Sequence, residues 1–149
     1  MKLKRMKNIK KVLFSTIIIL FSTLSFAGEN FFNEAKEKFD QENFEDSKFL
    51  FQRNIVYNPK HAKSYLYLAK IYNLEENEKE EEKNINTVLL LEPKNEEAIY
   101  MLIKIQLKKS NYLKVKDLSK IFIKNCKNLC EKNKSILESL KNLEPKNES

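Results

Sequence analysis

From Tyr65 to Pro93 the apolar residues fall into two stripes separated by a polar interruption. Tyr65, Leu68, Ala69 and Tyr72 stand at i, i+3, i+4 and i+7, which places them on one face of a helix. Residues 73–77 are polar apart from Leu74 and are bounded by two asparagines, as suits a turn. Ile85, Val88, Leu89 and Leu91 form the second stripe. Pro93 ends it, because a proline biases the residue before it, here Glu92, away from the helical region. The pattern predicts two short antiparallel helices, an αα-hairpin.

The same pattern recurs on both sides. Pro59 and Pro93 lie 34 residues apart, and that shift superimposes NFEDSKFLFQRNIVYNP (43–59) on NEKEEEKNINTVLLLEP (77–93). A second shift brings NYLKVKDLSKIFIKNCK (111–127) beneath both, with Lys127 in place of the proline. The first helices align as well: Phe31 and Ala35 with Tyr65 and Ala69, then with Ile99 and Ile103. A helix–turn–helix period of 34 residues closed by proline resembles the tetratricopeptide repeat. The resemblance rests on Tyr65, Leu68, Ala69, Tyr72 and Pro93 in the middle copy. Phe31, Ala35, Phe44, Ser47, Phe51 and Pro59 carry it in the first, and Leu102, Tyr112, Val115 and Phe122 in the third. It implies an all-α chain, a right-handed α-solenoid of about three hairpins (28–61, 62–95 and 96–128).

Two departures from the family stand out. The family places a small residue early in the second helix, where the helices approach most closely. Ser47 and Val115 suit that seam, whereas Glu81 does not: either its stem lies across the seam with the carboxylate reaching outward, or the middle hairpin splays. The family's turn glycine is replaced by Glu42, Glu76 and Ser110. Beyond the third hairpin, Leu129, Ile136, Leu137 and Leu140 predict a last amphipathic helix, 129–142, followed by a polar tail, 143–149. An extra helix commonly caps the open end of a repeat stack. A decayed fourth repeat, with Leu143 and Pro145, is the other reading.

The N-terminus follows a different pattern. MKLKRMKNIKK is basic, residues 12–26 are apolar with a few Ser and Thr, and Ser25-Phe26-Ala27 offers small residues for a peptidase. This three-part order predicts a secretory signal peptide, 1–27, cleaved near Ala27, with a periplasmic mature domain. The alternative is an uncleaved signal that anchors the chain in the inner membrane, although the apolar run falls short of the roughly 20 residues a spanning helix needs. Export changes the charge argument. The whole chain carries 28 basic and 21 acidic residues, a net +7. Loss of residues 1–27 removes six basic residues and leaves 22 against 21. The basic character belongs to the leader, so nucleic-acid binding is not expected.

Candidate chemistry is sparse. The two cysteines, Cys126 and Cys130, form an even pair in a chain read as exported, which points to a disulfide. Helical residues four apart hold their Cβ atoms about 5–6 Å apart, too far for that bond, so the helix should break near Lys127-Asn128. Redox catalysis and metal binding with His61 are weaker readings of the same pair, and His61 is expected to be an exposed loop residue. The run EENEKEEEK (75–83) reads as the solvated, acid-rich start of a helix. A single histidine and no nucleophile motif predict no catalytic site, no cofactor and no metal.

What remains is binding. In the family, first helices line a groove that receives a peptide or a partner's helix. The matching positions here are Phe32, Lys36 and Phe39, then Leu66, Lys70 and Asn73, then Tyr100, Lys104 and Leu107. Lys36, Lys70 and Lys104 recur at the repeat spacing and predict a ladder of ammonium groups for an acidic segment beside apolar anchors. The expected role is a non-enzymatic interaction scaffold of the cell envelope, similar to small exported bacterial members of the family. Self-association through the hairpins, giving a homo-oligomer, is the alternative, as is a signal-anchored factor in envelope assembly or cytochrome maturation.

Overall fold

The computed structural model describes residues 31–143. The expected leader and its cleavage site lie outside the described residues, as do tail residues 144–149. Among the described residues all regular structure is helical. Helix α1 covers 31–40, followed by α2 (Phe44–Tyr57), α3 (Ala62–Leu74), α4 (Glu78–Leu91), α5 (Glu96–Lys108) and α6 (Tyr112–Asn125). A 3-10 turn (Cys130–Lys132) then leads into α7 (Asn133–Leu143). The chain divides after Ser64 into two compact units.

Each hairpin turn is built the same way, and its sequence signal is the pair after the first helix. Glu42, Glu76 and Ser110 all adopt positive φ, at 59°, 57° and 52°. Each leaves its helix in the left-handed conformation where the family has glycine. The next residue donates its amide back to a helical carbonyl five residues earlier: Asn43 to Lys38, Asn77 to Tyr72 and Asn111 to Gln106. That bond closes the helix end. The same asparagine then caps the following helix. The Oδ1 atoms of Asn43, Asn77 and Asn111 accept from the amides of Asp46, Glu80 and Lys114. Such a cap is worth about 1 kcal/mol, and a non-glycine left-handed residue costs about 1–2 kcal/mol. The cap therefore offsets much of the turn's strain.

The first unit pairs α1 with α2. Ser47 and Ala35 are fully buried, and the Ser47 hydroxyl donates to the Ala35 carbonyl at 2.8 Å, which draws the two backbones together. The rings of Phe32 and Phe51 pack at 5.7 Å, those of Phe39 and Phe44 at 5.4 Å, and those of Phe31 and Tyr57 at 5.5 Å. His61 corrects the expectation of an exposed loop residue. It is half-buried, its ring meets Phe32 edge-on at 4.5 Å, and its Nδ1 lies 2.9 Å from the Ser64 hydroxyl. The buried amide of Asn54 donates to that hydroxyl at 2.7 Å. This polar cluster fixes the corner that follows Pro59.

The second unit has one core, which includes Ala69, Ile85, Val88, Ile99, Ile103, Val115, Phe122 and Ile136. Here Glu81 corrects another expectation. It is 2 % exposed, and both of its carboxylate oxygens accept from the Asn73 amide at 3.1 Å. The carboxylate turns inward to a partner across the hairpin, and the seam closes on a polar pair. The acid run 75–83 is also more engaged than a solvated helix start. Glu82 accepts from Gln106 at 2.9 Å and from Lys109 at 2.6 Å, and Lys109 also pairs with Glu78 at 3.3 Å. These bonds tie α4 to α5, and the Glu82 carboxylate foremost holds the Lys109 ammonium above its ordinary pKa.

The last helix begins at Asn133, four residues later than expected, because a corner and the 3-10 turn occupy 126–132. Ile136 is buried, and Leu129, Leu140 and Leu143 pack against the core, whereas Leu137 is 45 % exposed. Leu143 thus belongs to the helix rather than to the tail. Ile136 lies 34 residues beyond Leu102 and 68 beyond Leu68, and all three are buried. In register, α7 is therefore the first helix of a fourth hairpin; in packing, it covers α5 and α6 as a cap.

Candidate partner-binding face

The nine groove positions occupy the same register on α1, α3 and α5, and each is described within its own unit. In the first unit Phe32 and Phe39 are half-buried against the rings named above, and Lys36 pairs with Asp40 one turn on, at 2.7 Å. In the second unit Leu66 is buried in the core. Lys70 forms an ion pair with Glu97 at 2.8 Å, and its ammonium lies 4.8 Å from the centre of the Tyr67 ring. Asn73 is committed to Glu81. Tyr100 is half-buried with its ring 6.0 Å from that of Phe122, and Leu107 is half-buried at the core's edge. Lys104 is exposed between them and makes no ion pair among the described residues. Acids of the chain itself thus meet two rungs of the lysine ladder, and Lys104 presents its charge to solvent. The Lys70–Glu97 pair also shows that these faces of α3 and α5 adjoin.

Beside that pair lies an open cleft of about 300 Å³, lined by Leu66, Glu96, Glu97, Asn125 and Lys127 among others. One wall of it is a corner that sequence reasoning only half foresaw. The Cys126 and Cys130 Sγ atoms are at bonding distance, 2.10 Å, and the helix ends at Asn125, ahead of the break expected near Lys127-Asn128, so that Cys126 is already extended. The partner of the enclosed residues was not foreseen. The backbone amides of Lys127, Asn128 and Leu129 donate to the Glu96 carboxylate at 2.5, 3.0 and 3.3 Å, and the Asn128 side chain adds a bond at 3.0 Å. These amides, that of Lys127 first, hold the Glu96 carboxyl below its ordinary pKa. No local pattern marks such a pair, since 31 residues separate Glu96 from Lys127.

No three His, Cys, Asp or Glu side chains gather to hold a metal among the described residues, and no described helix is long and apolar enough to cross a membrane.

No protein-family model matches the chain, and no curated protein matches its sequence. Its structure is similar to several solved ones. One is the type III secretion chaperone SycD of Yersinia enterocolitica, in complex with a peptide of the translocator YopD. It matches with a TM-score of 0.67 at 13% identity, over 77% of this chain and 90% of that one. The first TPR domain of Spaghetti (RPAP3), bound to the HSP90 peptide SRMEEVD, gives 0.69 at 11% identity over 78% and 92%. The TPR2B domain of yeast Sti1, in a complex with pHsp70, gives 0.66 at 14% identity over 78% and 98%. The chain has the fold of tetratricopeptide-repeat domains, an all-α solenoid of helix–turn–helix hairpins.

Proposed function

We propose that this protein is a non-enzymatic scaffold that holds a segment of a protein partner on the exposed face of the first helices of its second unit, α3 and α5. The observation that carries this reading is the α5 face, where the exposed Lys104 ammonium stands between half-buried Tyr100 and Leu107. An extended segment with an acidic group beside an apolar side chain fits that combination. Neighbours with the same fold that were solved with peptides lend support. Export to the periplasm belongs to the proposal and rests on the sequence pattern of residues 1–27; intact mass of the secreted chain tests it, with an unprocessed mass counting against cleavage.

The binding test places a photo-crosslinking residue at Tyr100 in cells that make the protein, with exposed Lys116 as the control position. A discrete adduct from position 100 alone, lost in Lys104→Glu, supports the face. Equal adducts from both positions, or none, would overturn it. An adduct of twice the chain's mass would replace a foreign partner with a second copy.

A further inference from the structure

The three corners that follow α2, α4 and α6 occupy equivalent positions, 34 residues apart, yet they are held by different means. After α2 and α4 the corner contains a proline, and a backbone bond closes it: His61 to Asn58 at 3.1 Å, and Asn95 to Glu92 at 3.0 Å. After α6, Lys127 replaces the proline. The equivalent amide, that of Leu129, does not close on Cys126 but donates to Glu96. This corner lacks the fixed φ of proline and the closing bond of the other two, and its own backbone bond, Lys132 to Leu129 at 2.9 Å, comes only after residues 126–128. Besides the packing of Cys126 and Leu129 on the core, two restraints hold its first residues, the Cys126–Cys130 disulfide that spans it and the Glu96 carboxylate that collects its amides.

The corner carries a thinly anchored helix. Within α7 only Ile136 is buried, against six residues in α5. Segments with few buried apolar contacts open at the lowest free-energy cost. Cys130 is exposed, so a thiolate from solvent can reach it.

We propose that the Cys126–Cys130 disulfide is a redox latch on α7: intact, it keeps the corner shaped around Glu96 and α7 seated on the core; reduced, it lets the corner and α7 open as a unit. The reductant is a dithiol. One of its thiolates attacks Cys130 and displaces the Cys126 thiolate, and its second sulfur then releases Cys130. The dithiol leaves as a cyclic disulfide, and two electrons and two protons pass to the cysteine pair. Opening uncovers the end of the second unit's core that Leu129, Ile136, Leu140 and Leu143 cover. The inference is independent of the partner-binding face.

The test is amide hydrogen exchange on the full chain, oxidised and after dithiothreitol, with Cys126→Ser/Cys130→Ser as a permanently open form. Reduction and the double variant should speed exchange in 127–143 by about tenfold or more while α3 and α4 keep their protection. In the oxidised chain, Glu96→Gln should speed exchange in the same segment by a smaller factor. Protection of α7 that stays within about twofold on reduction would overturn the latch. Equal loss of protection from α3 through α7 would also overturn it, since the disulfide would then be a staple for the whole unit.

Discussion

The α1/α2 hairpin and the α3/α4 hairpin solve one steric problem in two ways. At Ser47 the seam is closed by a small side chain whose hydroxyl reaches the facing backbone at Ala35. At the equivalent Glu81 it is closed by a buried carboxylate bonded to a side-chain amide on the facing helix. The first solution needs only its own residue. The second needs a partner, and so should be more sensitive to mutation at Asn73 than at Glu81 itself. A repeat position thus prescribes a spacing between helices, and different chemistries meet it.

The sharpest test of that difference is Asn73→Ala, which leaves a buried carboxylate without its donor. We expect a loss of about 2–3 kcal/mol in urea denaturation. Glu81→Ala in that background should recover most of it, because both polar partners are then gone. A double-mutant cycle with no coupling would show that the pair does not close the seam. At the other seam, Ser47→Ala should cost only about 1 kcal/mol, the net worth of one neutral hydrogen bond. A cost there equal to that of Asn73→Ala would erase the distinction.

The hairpin turns, by contrast, are alike, and should respond alike. Glu42→Gly and Glu76→Gly each relieve a left-handed non-glycine residue and should raise stability by about 0.5–1 kcal/mol. Unequal gains would mean that the seams influence the turns.

A smaller effect concerns acid. Glu96 has its folded pKa held below its ordinary value of 4.5, so its contribution is complete above that value. It is lost as pH falls through the lower folded value. Glu96→Gln should therefore flatten stability against pH below about 4.5 and leave the slope near neutrality unchanged. A parallel slope in the variant would show that the corner amides do not hold the carboxylate. The smallest effect is expected at the binding face. Glu97→Gln frees the Lys70 ammonium and should tighten binding of an acidic segment severalfold in a salt-dependent way. An unchanged affinity would place Lys70 outside the contact.

Much of the fold was legible because it is local and periodic. Helical stripes come from spacing within one helix, and the 34-residue shift makes each hairpin a reading of its neighbours. The left-handed turn positions were marked by where glycine was absent, at Glu42, Glu76 and Ser110. The asparagine caps also stood at repeat spacing in the sequence, but their role needed the turn geometry. That Cys126 and Cys130 come within bonding distance was readable from two cysteines and the need for a break in the helix.

Less of the candidate site was legible. Register placed Lys36, Lys70 and Lys104 in one series, but whether each ammonium is open depends on acids brought near by folding. Asp40 comes from the next turn of the same helix, whereas Glu97 comes from another helix, 27 residues away. Leu137 was expected on the apolar face, but Ile136, Leu140 and Leu143, at i, i+4 and i+7, are the ones that face the core and leave it outside. The sequence by itself determined the period, the hairpins and the places where the chain turns, because steric and hydrophobic preferences within a few residues decide them. Tertiary structure alone decided that Glu81 faces Asn73, that His61 packs into a corner and that Glu96 gathers three amides. A polar side chain has several acceptable partners, and only the packed chain shows which one lies within a hydrogen bond's reach.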